Sequence, residues 1–371
     1  MRVVDVTQWY SPVSGGIRTY LRAKAAWAER AGMAHAAVVT GPAAGSDLVA
    51  ASPFVRVRGR TPADRWGYRL VPRPAPVIEA LERLRPGVLV LHDALAFPRA
   101  LARWARERGI PVAMVCHSDL RLAAAGLPGP LPGAARAVLD RVQRRALSAP
   151  QLVLVASAAT RERVAGEGVA PVVVAPLGVD LDDFGAARPD AALRASLADP
   201  EEALLLYAGR LSSEKRVMLL PDMMVRMRVP VRLAVAGVGA AEAGMRRRAR
   251  RLGVEDRIVF LGHLGDRGAL ARLMASADCF VHPNPDEPFG LAPLEALAAG
   301  CRVVAPSAPG PREVLARRGA LLVAPGDPAA LANGVRRALA LPRPRLDLDD
   351  LSWDRVFDRE WRLYRGLGAA A

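Results

Sequence analysis

The sequence predicts an α/β protein made of two doubly wound halves with mostly parallel sheets. Three observations predict it. Short Leu/Val or β-branched runs alternate with longer amphipathic stretches from end to end. The alternation stops once, in the Gly-, Pro- and Asp-rich stretch 175–190, and then restarts. The length, 371 residues, suits two domains of about 100–200 residues each. Buried parallel strands read as continuous apolar runs, and the crossover helices between them must cover both sheet faces.

The first strand is RVVDVT (2–7), and a helix over Ile17–Arg30 leads to AAVVT (36–40). VLVLH (88–92), VAMVC (112–116), LVLVA (152–156) and VVVA (172–175) follow, with helices expected at Pro98–Arg108, Gly133–Leu147 and Ala158–Glu167. The second half supplies LLLYAG (204–209), VRLAVAG (231–237), RIVFLG (257–262), CFVHP (279–283), CRVVAP (301–306) and ALLVAP (320–325). These elements set one domain over 1–176 and another over 177–350. The remainder, 351–371, has no strand after it. Its Trp353, Phe357, Trp361 and Tyr364 recur at helical spacing and form one apolar face, expected to pack back on the N-terminal domain. Ligands of open α/β sheets sit beyond the carboxyl ends of the strands, so two such domains facing across a cleft would build a two-substrate site.

Composition narrows the classes. Apolar residues make 51% and charged residues 24%, which argues against wholesale disorder. No apolar run approaches the ~18–20 residues that span a bilayer. Asp5 interrupts the place where a signal peptide needs its apolar stretch, so a cytoplasmic protein is expected. Cys116, Cys279 and Cys301 lack C-x-x-C spacing and fit reduced, buried thiols. The net charge is +15, and basic charge of that size attracts polyanions: nucleic acid, anionic lipid or nucleotides.

Five segments could carry chemistry. In HPNPDEPFGLAPLEALAAG (282–300), Glu287 lies in a Pro-flanked loop after a strand, and Glu295 sits about one turn inside the following helix. The free N–H groups and dipole of such a helix start suit a phosphate. Capping for Glu287 and a solvated face for Glu295 are the ordinary alternatives. In YAGRLSSEKR (207–216), Arg210 and Lys215 emerge where two cations could neutralise a diphosphate leaving group; alone, a solvated basic turn explains them as well. SPVSGGIRTY (11–20) offers Gly15 and Gly16 for close approach to an anion, without full dinucleotide spacing. His117 follows a strand, with Asp119 near it, and could hydrogen-bond a substrate hydroxyl. The fifth, Val55–Arg73, carries Arg56, Arg58, Arg60, Arg65, Arg69 and Arg73 against Asp64 alone, with Trp66 and Tyr68 among them; cations with aromatic rings favour an anionic headgroup region. The acidic clusters at Asp180, Asp182 and Asp183 and at Asp347, Asp349 and Asp350 read as turn solvation. The run Arg246–Arg251 wraps around its helix and reads as a solvated face.

Taken together, these residues resemble glycosyltransferase family four, retaining sugar-nucleotide transferases of the GT-B fold, over nearly the whole chain. The resemblance rests on Gly15–Gly16, His117, Gly178–Val179–Asp180, Gly209–Arg210 with Lys215, and the spacing of Glu287 and Glu295. Leu177 stands where many members carry Asn. The Ser-Gly-Gly-Ile-Arg stretch is loosely similar to the GDP-mannose-dependent mannosyltransferases.

The resemblance implies a site. Arg210 and Lys215 would hold the donor diphosphate, with Gly16 beside it and Gly15 next in the loop. Glu295 would accept from the ribose hydroxyls. Glu287 would contact hydroxyls of the transferred sugar, helped by backbone N–H groups of Phe289, Gly290 and Leu291. His117 would touch the sugar from the facing domain. The base would lie against Gly237–Val238–Gly239 and the strand end Ile258–Val259–Phe260. No metal and no other cofactor is implied. GDP-mannose is the first expected donor and a UDP-sugar the second. The acceptor would be lipid-linked or a glycan, with an anionic membrane on the inner face of the cell membrane as a further partner and no nucleic acid. Two other readings stay open. A GT-B sugar-nucleotide epimerase should show more acidic and histidine residues in its cleft. A basic nucleic-acid-binding protein explains the charge but not the placing of Glu287 and Glu295.

Overall fold

The computed structural model describes residues 1–11, 15–61, 69–92, 94, 97–117, 133–166 and 168–369. Asp119 and Glu167 lie outside the described residues, as do Asp64, Arg65, Trp66 and Tyr68 of the basic segment. The chain divides into two compact units, Met1–Gly178 with Trp353–Ala371, and Val179–Ser352.

Unit 1 holds strands β1 (Arg2–Val6), β2 (Ala34–Gly41), β3 (Gly45–Val49), β4 (Ser52–Arg58), β5 (Val88–Leu91), β6 (Val112–Cys116), β7 (Leu152–Val155) and β8 (Val172–Val174). Helices α1 (Gly16–Arg30), α2 (Ala75–Leu84), α3 (Pro98–Arg106), α4 (Gly133–Leu147) and α5 (Ala158–Val164) connect them. The sheet order is β3-β4-β2-β1-β5-β6-β7-β8. Every pairing is parallel except β3 with β4. That hairpin is absent from the sequence reading. Its turn uses Ala50 at φ +50° rather than the Asn or Gly that announces such turns, and β3 has no apolar run.

The C-terminal helix, Trp353–Ala369, belongs to unit 1 and packs on α1. Phe357 lies 5.3 Å from Tyr20 and Trp361 lies 5.2 Å from Trp27, centroid to centroid. All four aromatic residues of its apolar face are buried. Gly178 is required beneath it, because a Cβ there would stand 2.6 Å from the Trp353 ring.

Unit 2 holds β9 (Ala203–Ala208), β10 (Val231–Ala236), β11 (Ile258–Gly262), β12 (Cys279–Val281), β13 (Arg302–Pro306) and β14 (Leu321–Val323) in the all-parallel order β11-β10-β9-β12-β13-β14. Its helices are α6 (Ala191–Leu197), α7 (Leu219–Arg226), α8 (Glu242–Arg251), α9 (Arg267–Ser276), α10 (Leu291–Ala298), α11 (Pro309–Leu315) and α12 (Pro328–Leu339). Strands β9, β10, β12 and β13 are buried almost throughout, as continuous apolar runs require. The three cysteines are buried and form no disulfide. Among the described residues no helix is long and apolar enough to cross a membrane.

Candidate active site

In unit 2 the sheet order reverses between β9 and β12, so the loops after these strands flank a topological switch point. After β9, Gly209 leads into Arg210 and the short turn Ser213–Lys215. The Tyr207 hydroxyl donates to the Arg210 carbonyl at 2.9 Å and fixes this bend. After β12, the chain runs through His282 and Asn284 to Glu287. Gly290, at φ +89°, then opens α10 in a conformation that L side chains rarely adopt. Gly310 at the start of α11 closes the loop from the other side; a Cβ there would stand 2.1 Å from the Glu287 carbonyl oxygen.

Lys215 Nζ donates to Glu287 Oε2 at 2.7 Å, and Asn284 Nδ2 donates to the same oxygen at 3.3 Å. Burial alone would raise the Glu287 carboxyl, but Lys215, His282 and Asn284 outweigh it and bring it down to about 2. His282 was not singled out in the sequence. Among the described residues its buried Nε2 has no hydrogen-bond partner, and it lies 3.9 Å from Glu287. Burial, aided by Lys215 and opposed by Glu287, lowers His282 to about 4. Arg210 reaches the same sheet edge but pairs with Glu214 at 3.0 Å, so the structure joins Lys215, not Arg210, to Glu287.

Glu295 lies one turn inside α10 and is buried, which corrects the solvated-face alternative. Arg267 Nη2 holds it at 2.8 Å, and burial raises the carboxyl against the pull of that cation. The Arg267 guanidinium also lies 4.7 Å above the Phe184 ring. Gly237 and Gly239 are explained by chain packing. A Cβ on either would stand 1.9 Å from the carbonyl oxygen of Gly209 or Leu211. Val259 and Phe260 are half-buried on β11, and Arg246 covers one face of the Phe260 ring at 3.9 Å. Phe289 is buried beneath the loop, and Leu291 begins α10.

The remaining charged clusters resolve into local structure. Asp180 accepts from the Asp183 backbone N–H and caps the turn Leu181–Gly185. In the arginine run, Arg246, Arg248 and Arg250 reach Glu242, Asp222 and Glu255 in turn.

Unit 1 has its own switch point between β1 and β5. Gly15 and Gly16, both exposed, start α1 just after β1. His117 stands at the end of β6, half-buried, with Nε2 2.8 Å from His92 Nδ1. His92 Nε2 reaches Asp5 Oδ1 at 2.6 Å, Lys24 Nζ reaches the same oxygen at 2.9 Å, and His35 Nε2 reaches Asp5 Oδ2 at 2.6 Å. Asp5, Lys24, His35 and His92 were missed from sequence. The available signal was Asp5 itself, a carboxylate in the middle of an apolar strand, which cannot be buried without partners.

Known proteins provide the comparison for these two sites. Residues 14–183 match the family model described as Glycosyltransferase Family 4, and residues 190–350 match Glycosyl transferases group 1. The chain is 36% identical over 351 residues to a GDP-mannose-dependent alpha-(1-6)-phosphatidylinositol dimannoside mannosyltransferase of Mycobacterium tuberculosis, covering 92% of this chain and 88% of that protein. It is 31% identical over 306 residues to a GDP-mannose-dependent alpha-mannosyltransferase of Mycolicibacterium smegmatis, covering 76% and 78%. In fold it is similar to the solved sucrose-phosphate synthase of Thermosynechococcus elongatus, with a TM-score of 0.78, 22% identity and full coverage of both chains.

Proposed function

The chain belongs to glycosyltransferase family 4, with the GT-B pair of Rossmann-like domains, and from that premise we propose that it is a retaining, metal-independent mannosyltransferase using GDP-mannose. One observation carries the reading of the site: the Lys215–Glu287 pair at the switch point of unit 2, beside the amino end of α10. There Lys215 and Arg210 bind the donor diphosphate and offset the charge that builds on it as the sugar leaves. The N–H groups of Phe289, Gly290 and Leu291 add to that field. Glu287, ionised and held by Lys215 and Asn284, accepts hydrogen bonds from hydroxyls of the transferred sugar. Glu295, oriented by Arg267, accepts from the ribose. In unit 1, the family resemblance assigns Gly16 to a phosphate and His117 to a substrate hydroxyl.

In the transfer step the bond from the anomeric carbon to the phosphate oxygen breaks and a bond to the acceptor oxygen forms on the same face. The departing phosphate oxygen takes the acceptor's proton. Glu287 is no covalent nucleophile in this scheme. The protein acts by positioning and by fixed charge, the part that two cations can play without a metal.

The names of both mycobacterial relatives support GDP-mannose over UDP-sugars, and that of the phosphatidylinositol dimannoside mannosyltransferase supports a lipid-linked acceptor. A groove of about 790 Å³ lined by Arg58, Arg60, Arg69 and Arg73 supports contact with anionic headgroups at a membrane surface. Calorimetric titration with GDP and UDP tests the donor, and acceptor-free hydrolysis of GDP-mannose tests the sugar. Glu287→Ala should lower turnover about 10²–10³-fold while GDP still binds. Unchanged turnover removes the assignment, and loss of activity in EDTA that Mg²⁺ restores removes metal independence.

A further inference from the structure

Asp5 lies on the central strand of unit 1 with no exposure, and three of the protein's five histidines lead away from it. Burial would raise its carboxyl. Lys24, with hydrogen bonds from His35 and His92, instead holds it well below the usual range, so Asp5 is an acceptor only. His92 Nε2, 2.6 Å from Asp5 Oδ1, must therefore carry a proton. The Lys24 ammonium already balances the Asp5 charge, and a second cation on His92 would be buried without a counter-ion. Burial, together with Lys24 and His35, lowers His92 against the pull of Asp5. A neutral His92 with its proton on Nε2 has a lone pair on Nδ1. The 2.8 Å contact from that Nδ1 to His117 Nε2 is then a hydrogen bond only if His117 donates it.

The rings agree with this direction. The imidazole planes of His92 and His117 lie within 13° of parallel, and centroids 5.1 Å apart with a 2.8 Å nitrogen-to-nitrogen contact place the rings end to end. Tyr20 stands edge-on to both, with centroids at 5.4 and 5.2 Å, and keeps them from tilting. Tyr20 is itself fixed by its hydroxyl, which donates to Glu360 at 2.5 Å, where Tyr364 also donates at 3.1 Å. His35 closes the other branch, with its Nδ1 2.8 Å from the Ser52 hydroxyl.

We propose that Asp5 and His92 are positioning residues that lock His117 as its Nε2–H tautomer, so that His117 Nδ1 accepts a hydrogen bond from a substrate hydroxyl. The second half of this statement rests on the reading of His117 as a substrate contact; the tautomer does not. A histidine whose donor nitrogen is held by a neighbour has one fixed polarity, whereas an unheld ring exchanges tautomers and misses the acceptor state part of the time. The proposal also explains why a carboxylate occupies the middle of an apolar strand: it is the origin of the chain's direction.

The test begins with the full-length protein labelled with ¹⁵N-histidine, the His117 signals being assigned by their loss in His117→Gln. Long-range ¹H–¹⁵N correlation should show the Nε2–H pattern at neutral pH. An Nδ1–H pattern, or averaged tautomers, overturns the proposal without any substitution. His92→Phe should turn the His117 signals into a tautomer mixture and lower kcat about 10–100-fold, by analogy with residues that orient ligating histidines, with GDP affinity unchanged. His35→Phe removes an equivalent bond to Asp5 outside the chain to His117, and should cost stability while leaving both the His117 pattern and kcat in place. A His92→Phe enzyme with wild-type tautomer and wild-type kcat overturns the positioning role. Wild-type transfer by His117→Ala overturns the substrate contact, separately from the tautomer.

Discussion

Asp5, on the central strand of unit 1, and Glu287, in the loop after a central strand of unit 2, are both carboxylates that burial acts to neutralise. Each stays ionised because a lysine lies beside it, yet the two settings differ. The partners of Asp5 come from α1, β2 and the end of β5, and Asp5 and Lys24 have no exposure at all. Glu287 is met by Lys215, which rides on a one-turn element and remains 25% exposed, and by a His282 nitrogen with no hydrogen-bond partner among the described residues. A network whose cation is wholly buried can position a neighbour but has no exposed cation to release. A network with a partly exposed cation can release that cation to a ligand. The difference separates orientation from binding, and it can be broken experimentally.

The largest expected effect comes from removing residues 352–371. Trp353, Phe357, Trp361 and Tyr364 each contribute about 1.5–3 kcal/mol by burial, and their sum rivals the about 5–15 kcal/mol that holds a typical domain folded. Unit 1 should lose its cooperative transition in denaturant and activity should vanish with it. A truncated chain with the melting temperature and kinetics of the full one would show that the closed network does not need this helix.

Next comes Lys24→Met, which leaves the Asp5 charge buried without its counter-ion. It should cost about 3–5 kcal/mol in denaturant unfolding. The matching Lys215→Met should cost about 1 kcal/mol or less, since that pair is partly solvated, and should instead weaken GDP binding. Equal stability losses would erase the distinction between closed and open networks.

Acid should separate the units by a smaller margin. His35, His92 and His117 in unit 1 and His282 in unit 2 are all lowered, by burial first, from 6.5. As pH falls below 6.5 the unfolded chain takes up these protons before the folded one. Their contribution is therefore complete above 6.5 and is lost on acidification, for His282 through about 4. Glu287 acts lower still: its contribution is present above 4.5 and is lost as pH falls through about 2. Three such histidines against one make unit 1 the more acid-sensitive. All six tryptophans fall in unit 1, so their fluorescence reports it alone, while far-ultraviolet circular dichroism reports both units. The fluorescence transition should come first on acidification. Coincident transitions would contradict the assignment of the acid-labile network to unit 1.

The last effect is expected from Arg267→Ala. It strips the buried Glu295 of its partner, so about 1–3 kcal/mol of stability should be lost in unit 2, together with part of the GDP affinity. Unaltered affinity would leave Glu295 as a structural residue.

How much of this was legible in the sequence follows from what each feature depends on. Strand and helix positions agreed within a few residues, because apolar runs and helical spacing are local properties. The break in the alternation lies across the point where the units divide, and the aromatic spacing of 353–364 foretold a buried face. Glu287, Glu295, Arg210, Lys215 and His117 were visible because each follows a strand, and strand ends are where parallel sheets hold ligands. The hairpin β3–β4 was not visible, since neither its turn nor its composition carries the usual signal.

The sequence by itself thus determined the fold class, the two halves and the loops that bear the chemistry. Only the tertiary structure decided which charges meet: Lys215 with Glu287 rather than Arg210, Arg267 with Glu295, and His35, Lys24 and His92 with Asp5. The physical reason is sheet order. Asp5 and His92 are 87 residues apart and become neighbours because β5 lies beside β1, while Lys215 and Glu287, 72 residues apart, meet because β12 lies beside β9. No periodicity along the chain records which strands will be adjacent, so a partner fixed by that adjacency is read only from the folded molecule.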